Sequence, residues 1–365
     1  MNSKERVITA INLKRPDRVP LDGYFRQDVW AKLEEHLGTK DAEKIMEALG
    51  LDIRYTMLEP SSAFTERAIP SPWQIPEIGM GRKNLVIKRD NGWLEDEYGI
   101  CRIPNSNGLY WVYTYHPLAE AGLEGIKKYR FPHPNLEERY RGVRSDVSRW
   151  GNKYFVAVEL WNIFKTSWEL RGFDRYMMDL TQEPKLVETL ADRVLEHRLE
   201  QSKQLVKLGV DMMVIMGDIA AQETMMISPR MWRKYFKPRL RIWLEEVRRQ
   251  KDIYFMFHSD GNMEAVFSDL IEIGFDIINP IQPECMDVVK IKNLFGNQVC
   301  LHGTISCQKT LPFGTPEEVA AEVKQRIASC SQNGGLILSP SNTIQPDVPL
   351  ENILTLYETA KNTPL

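Results

Sequence analysis

DIYFMFHSDG, residues Asp252–Gly261, is the stretch from which the fold of this chain is read. A short apolar and aromatic run, Ile253–Phe257, stops abruptly at His258-Ser259-Asp260-Gly261, as a buried strand does when it delivers polar groups to its own C-terminal tip. Residues two apart on a strand point to the same side, so the imidazole of His258 and the carboxylate of Asp260 face one space.

The same unit recurs along the chain. Beyond Gly151, short apolar strands are expected at Tyr154–Leu160, Asp211–Met216, Phe275–Ile278, Val299–His302 and Leu336–Leu338, each separated from the next by an amphipathic helix. Such alternation implies parallel strands joined by helical crossovers. Helix starts are marked by Ser228-Pro229 before Met231–Arg249, with Pro238 expected to kink it, and by the capping box Thr315-Pro316-Glu317-Glu318 before Val319–Ala328. Two earlier strands, Val19–Phe25 and Asp52–Leu58, bring the strand count to that of a (β/α)8 TIM barrel, the expected fold class (α/β). Residues 1–365 are accordingly read as a single barrel domain. Within it, Gly81–Pro117 alternates polar and apolar residues around Asn91-Gly92 and Asn107-Gly108, which predicts an antiparallel β-hairpin insertion. An open doubly wound sheet is the alternative, but no GxGxxG follows the first strand and there is no P-loop.

Bulk composition narrows the partners. The chain has 365 residues, is 43% hydrophobic and 27% charged, and carries a formal net charge of −3, which gives no reason to expect nucleic acid or an anionic membrane as a partner. No apolar stretch approaches the roughly 20 residues of a membrane span, and MNSKERVITA reads as a polar helix start rather than a signal peptide, so a cytoplasmic location is expected. The 5 cysteines form no CxxC pair, which favours reduced thiols.

In a barrel, reacting groups gather where the strands end. His258 with Asp260 suits either zinc, through imidazole nitrogen and carboxylate oxygen, or acid/base work in which the carboxylate charges the imidazole; Asp260 equally suits an N-cap for a helix Met263–Ile273. Asp218, at the end of VDMMVIMG, is a candidate acid or base beside a turn-capping alternative. Glu159 lies within an apolar run beside Trp161, and a carboxylate buried there without a partner would cost several kcal/mol, so it should have a partner, and either a metal or a ligand would serve. His302, before Gly303, either reaches the same mouth or lies beneath the turn. Cys307 is the thiol best placed as a soft metal ligand. Trp161, Phe164 and Met216 are candidates to line an apolar cavity, with Gln222 and Asn342 as polar contacts. Arg26 is either a carboxylate or phosphate contact or a surface residue of the adjoining helix.

Lys14–Pro20 (KRPDRVP), Met216–Trp232, Phe257–Asn262 (FHSDGN), Gly274–Gln282, His302–Val319 and Gly334–Ile353 together resemble the uroporphyrinogen decarboxylase superfamily, and more narrowly its cobamide-dependent methyltransferases. The resemblance implies a (β/α)8 barrel and one of two chemistries. The decarboxylases are similar at Phe25-Arg26-Gln27, but their second arginine shortly after is lacking here. The methyltransferases move a methyl group between a small substrate and a corrinoid held on a separate protein, and the best-known members hold zinc with a His-x-Cys pair and a late cysteine. Here these positions read His258-Ser259-Asp260 and Ser339-Pro340-Ser341-Asn342. A site of imidazole and oxygen ligands suits polarisation of an ether oxygen better than activation of a thiol. The reading is therefore an enzyme that demethylates a methoxylated aromatic or other methyl ether toward a corrinoid protein, with zinc as a further expected cofactor. Its alternatives are a decarboxylase of a tetrapyrrole or small acid, and a barrel that binds a ligand or corrinoid protein without turnover.

Overall fold

The computed structural model describes residues 1–70, 85–106 and 110–365. Among these, seven strands pair side by side, all parallel: β1 (Ile53–Thr56), β7 (Phe155–Trp161), β8 (Met212–Met216), β9 (Tyr254–His258), β10 (Ile277–Asn279), β11 (Cys300–His302) and β12 (Leu336–Ile337). Their spatial order follows chain order, as it must when each strand returns through a crossover on the same side. The sheet curls, and alternate residues form a separate inner core of Ile53, Tyr55, Phe155, Ala157, Met212, Val214, Met256, Ile277, Cys300 and Ile337. The opposite face packs against helices. There Trp232 and Trp243 are fully buried, each worth about 1.5–3 kcal/mol of apolar burial or more.

Val19–Phe25 corrects an expectation. It is extended but carries only isolated parallel bridges, Leu21 to Leu338 and Phe25 to Ile344, instead of a ladder. Pro20 has no N–H to give, and the N–H of Leu21 goes to the side chain of Asp52, at 2.9 Å. At Gly23 the chain runs so close to the Tyr357 hydroxyl that a Cβ would sit 2.0 Å from it. The segment hydrogen-bonds to residues beside both outer strands: Asp22 N–H donates to Leu338 O at 3.0 Å, and Asp52 N–H to Leu21 O at 2.8 Å.

A second, antiparallel sheet contains β2 (Ile69–Pro70), β3 (Leu85–Lys88), β4 (Leu94–Glu95), β5 (Cys101–Pro104) and β6 (Trp111–Tyr115). One of its strands, Ile69–Pro70, precedes the expected insertion, whose first residues, 81–84, lie outside the described residues. Asn91-Gly92 lies in the tight connection between β3 and β4, with Gly92 at φ 83°. The Asn107-Gly108 turn lies outside the described residues.

The helix signals hold where capping chemistry fixed them. Thr315 and Glu318 close a reciprocal capping box on the helix Pro316–Cys330. Around Pro238 the expected single helix is two, Pro229–Tyr235 and Lys237–Arg248, because proline offers no N–H to the preceding turn. Downstream of β9 the expected Met263–Ile273 helix is a short 3-10 turn, Glu264–Val266, followed by the helix Phe267–Glu272. The carboxamide oxygen of Asn262 accepts the N–H of Glu264 there at 3.1 Å, so Asp260 is not the cap and its carboxylate is left for other contacts.

Candidate active site

Register aligns the strand tips. Trp161 pairs with Met216, Met216 with His258, and His258 with Asn279, so these side chains form one tier across the inner face, with Glu159 two residues below Trp161. At the end of β9, Gly261 sits at φ 85°, where an added Cβ would lie 2.3 Å from Ala221 O. Only glycine fits that close approach, which folds the loop after β9 back over the end of β8. Asp260 N–H then donates to Asp218 Oδ1 at 2.9 Å, and Ile219 N–H to Ser259 Oγ at 3.0 Å.

The result is a cluster of Asp218, His258 and Asp260 whose donor atoms lie within 4.8 Å of one another. Asp260 Oδ1 is 4.0 Å from His258 Nε2, and it is buried without a hydrogen bond. Its other oxygen receives the carboxamide N–H of Asn342. One imidazole and two carboxylates form a donor set that suits zinc or another borderline divalent ion, and the unpartnered Oδ1 is the atom such an ion would satisfy. Burial by itself would lower the basicity of His258, but Asp260 and Asp218 outweigh it and hold the imidazole above its ordinary pKa. Asp260 is pushed up, mainly by burial and further by Asp218.

Glu159 stands below this cluster. It bonds the Tyr24 hydroxyl, and its Oε1 is buried without a partner. Burial raises its pKa to about 7, with the nearby His258 pulling the other way. A carboxyl in that range can give or take a proton at neutral pH.

Several expected contacts are corrected. Phe164 does not line the site: it is 1% exposed, on the helix side of the sheet, with its ring 5.3 Å from that of Phe236. It follows the cap residue Asn162 in the first turn of the helix Ile163–Arg171, which turns it away from the strand's inner face. His302 is fully buried and does not reach the mouth; its Nε2 meets Asp22 Oδ2 at 2.9 Å and its Nδ1 the Asn279 amide at 2.5 Å. Cys307 is outside the three-residue cluster. Its thiol donates to Asn342 O at 3.2 Å, and burial pushes its pKa up to about 12, which disfavours the thiolate a metal needs. The third residue of the cluster is Asp218.

Trp161 is 43% exposed at the rim and Met216 is half-buried beside it. Gln222 lies exposed, its amide donating to Gln308 Oε1 at 3.2 Å. Arg26 is half-buried at the head of the helix Gln27–Leu37, with its N–H on Ile344 O at 3.1 Å. Tyr24, Tyr55 and Asp22 are not among the residues that the sequence singles out, whereas Asn279 is expected as a polar strand tip. Asp22 carried the same signal as Glu159, a carboxylate inside an apolar run, Leu21-Asp22-Gly23-Tyr24-Phe25.

A comparison with protein-family models matches residues 118–363, more than half of the chain, to the uroporphyrinogen decarboxylase (URO-D) model. The chain belongs to the URO-D family. Curated relatives are the uroporphyrinogen decarboxylases of Coxiella burnetii strains Dugway 5J108-111 and RSA 493 / Nine Mile phase I, each 20% identical over 190 residues. That match takes in 50% of this chain and 49% of the relative, so the chain spans about half the length of the curated relatives it matches. Among solved structures, a methyltransferase from Methanosarcina mazei is similar with a TM-score of 0.67 at 18% identity, over 99% of this chain and 98% of that one. A B12-independent methionine synthase from Shewanella sp. W3-18-1 is similar with a TM-score of 0.50 at 13% identity, over 95% of both chains. At these identities the likeness is one of fold, and it fits a URO-D-type arrangement of parallel strands and helices.

Proposed function

We propose that this URO-D family member is a methyltransferase that moves a methyl group from a small methylated substrate, a methoxylated aromatic or other methyl ether, to a corrinoid carried by a partner protein. The chain acts as one catalytic domain, with Val19–Phe25 as the eighth stave of a closed (β/α)8 barrel, and works in the cytoplasm. The observation that carries the reading is the convergence of His258, Asp218 and Asp260 at the strand ends, with a buried, unpartnered carboxylate oxygen among them.

His258 Nε2 and the carboxylates of Asp218 and Asp260 would hold zinc. Bound there, zinc would supply a Lewis acid for the oxygen that leaves as the methyl departs. The residues of the chain do the rest. Glu159, neutral below about pH 7, places a proton under the cluster for the departing alkoxide or phenoxide. Trp161 and Met216 offer an apolar wall for the ring and keep water from the reacting carbon. The names of the Coxiella relatives favour a second reading, a decarboxylase. Against it, the second arginine that follows Phe25-Arg26-Gln27 in the decarboxylases is lacking in this chain.

The test is methyl transfer from a panel of methoxylated aromatics and other methyl ethers to free cob(I)alamin, followed by absorbance. Transfer that falls by about 10²–10⁴ in His258→Ala supports the reading. No transfer from any donor by zinc-loaded protein overturns it, and release of carbon dioxide from a carboxylated tetrapyrrole would install the decarboxylase instead.

A further inference from the structure

A line of hydrogen bonds runs inward from the cluster. His258 Nδ1 meets Asn279 Oδ1, Asn279 Nδ2 meets His302 Nδ1 at 2.5 Å, and His302 Nε2 meets Asp22 Oδ2 at 2.9 Å. The Tyr55 hydroxyl donates to the same Asp22 oxygen at 2.6 Å. Asp22 is 1% exposed, His302 0% and Asn279 4%, so bulk water has no access by which to re-route the bonds.

The far end dictates the direction of every bond. Asp22 Oδ2 already accepts from Tyr55, so it accepts again from His302, whose proton is therefore on Nε2. His302 Nδ1 is left as a lone pair and needs a donor, which Asn279 supplies from its amide nitrogen. That fixes the amide's orientation and turns its oxygen toward His258, where it can only accept the Nδ1 proton. Neutral His258 then points the lone pair of Nε2 at Asp218 and Asp260. Left alone, imidazole prefers the other tautomer, with the proton on Nε2.

We propose that Asp22, His302 and Asn279 are positioning residues that write the tautomer of His258, holding Nε2 free to bind a metal or take a proton in advance of any ligand. The proposal rests on the reading of His258 as the working group of the site. Its readout does not depend on turnover, so the two fail separately: an inactive enzyme with the expected tautomers sinks the function, and an active enzyme with the wrong ones sinks the relay. An amide that donates in one direction and accepts in the other is what lets two histidines of opposite tautomer sit on one line.

The experiment is nitrogen NMR of the full chain labelled at histidine, at an alkaline pH raised until the nitrogen shifts themselves report both imidazoles neutral, since Asp260 and Asp218 hold His258 above its ordinary pKa. The protein is first dialysed against chelator, because a metal on Nε2 would itself force the proton to Nδ1. Resonances are assigned with His258→Gln and His302→Phe. The wild type is expected to show His258 protonated on Nδ1 and His302 on Nε2. In His302→Phe the amide of Asn279 is free to turn, and His258 should shift to a mixture or to the Nε2–H form. Adding Asn279→Asp to His302→Phe should restore Nδ1–H, since a carboxylate can only accept. A wild type with His258 protonated on Nε2 overturns the proposal, as does an unchanged tautomer in His302→Phe. Should the variants fail to fold, the paired tautomers of the wild type decide alone.

Discussion

Glu159→Gln isolates one buried charge. Its carboxyl has a pKa raised from 4.5 to about 7, chiefly by burial. In the unfolded chain it ionises near its ordinary value, so between those two pH values the unfolded state sheds a proton that the folded state keeps. The sign follows: this group subtracts nothing from stability in acid, subtracts progressively more as pH rises from about 4.5 to about 7, and then subtracts a constant amount. A shift of this size is worth about 3 kcal/mol at full extent, of which roughly 2.5 kcal/mol develops between pH 5 and pH 8. Glutamine keeps the shape and can still bond the Tyr24 hydroxyl, but it cannot ionise. Denaturant unfolding of both proteins at pH 5 and pH 8 gives four free energies; titrating groups that do not interact with Glu159 cancel in their double difference, while its coupling to His258 stays within it. The substitution should gain on wild type by about 2–3 kcal/mol as pH rises across that interval. A double difference near zero would mean that Glu159 ionises in the folded protein as it does in water, and its part as a neutral proton donor would have to be abandoned.

Two further outcomes separate the corrected residues from the retained ones. Phe164→Ala removes a ring packed against Phe236 and Tyr176 and should lower the unfolding free energy by about 3–5 kcal/mol while leaving the KM for a methyl donor unchanged; a raised KM at an unaltered stability would return the ring to the substrate. Cys307→Ser should keep stoichiometric zinc by elemental analysis of the loaded protein, whereas Asp218→Asn should lose it; the opposite pattern would restore the thiol as a ligand and remove the carboxylate.

The strands from Tyr154 onward were legible because each is a short apolar run with polar residues at its end, a pattern that follows from burial on both faces. Each lies within one or two residues of its expected position. Val19–Phe25 was less legible, since whether an extended run enters a ladder depends on where its N–H groups go, and the partner of Leu21 is a side chain 31 positions away. Phe164 misled because its neighbourhood in sequence is that of the site. A helix start at Asn162 lies between Trp161 and Phe164, and the change of period there turns the ring to the other side of the sheet.

Residue type and spacing along the chain suffice for the repeating strand and helix, for the meeting of His258 and Asp260 at the tip of β9, and for the anomaly of carboxylates within apolar runs. All three are local, set by residue type and spacing along one segment. The tertiary structure alone decided that Asp218 and not Cys307 joins them, that His302 lies beneath and not beside them, and that Asn279 stands between the two histidines with its amide oriented by Asp22. Those are contacts between segments up to 280 positions apart, and the register of neighbouring strands creates them.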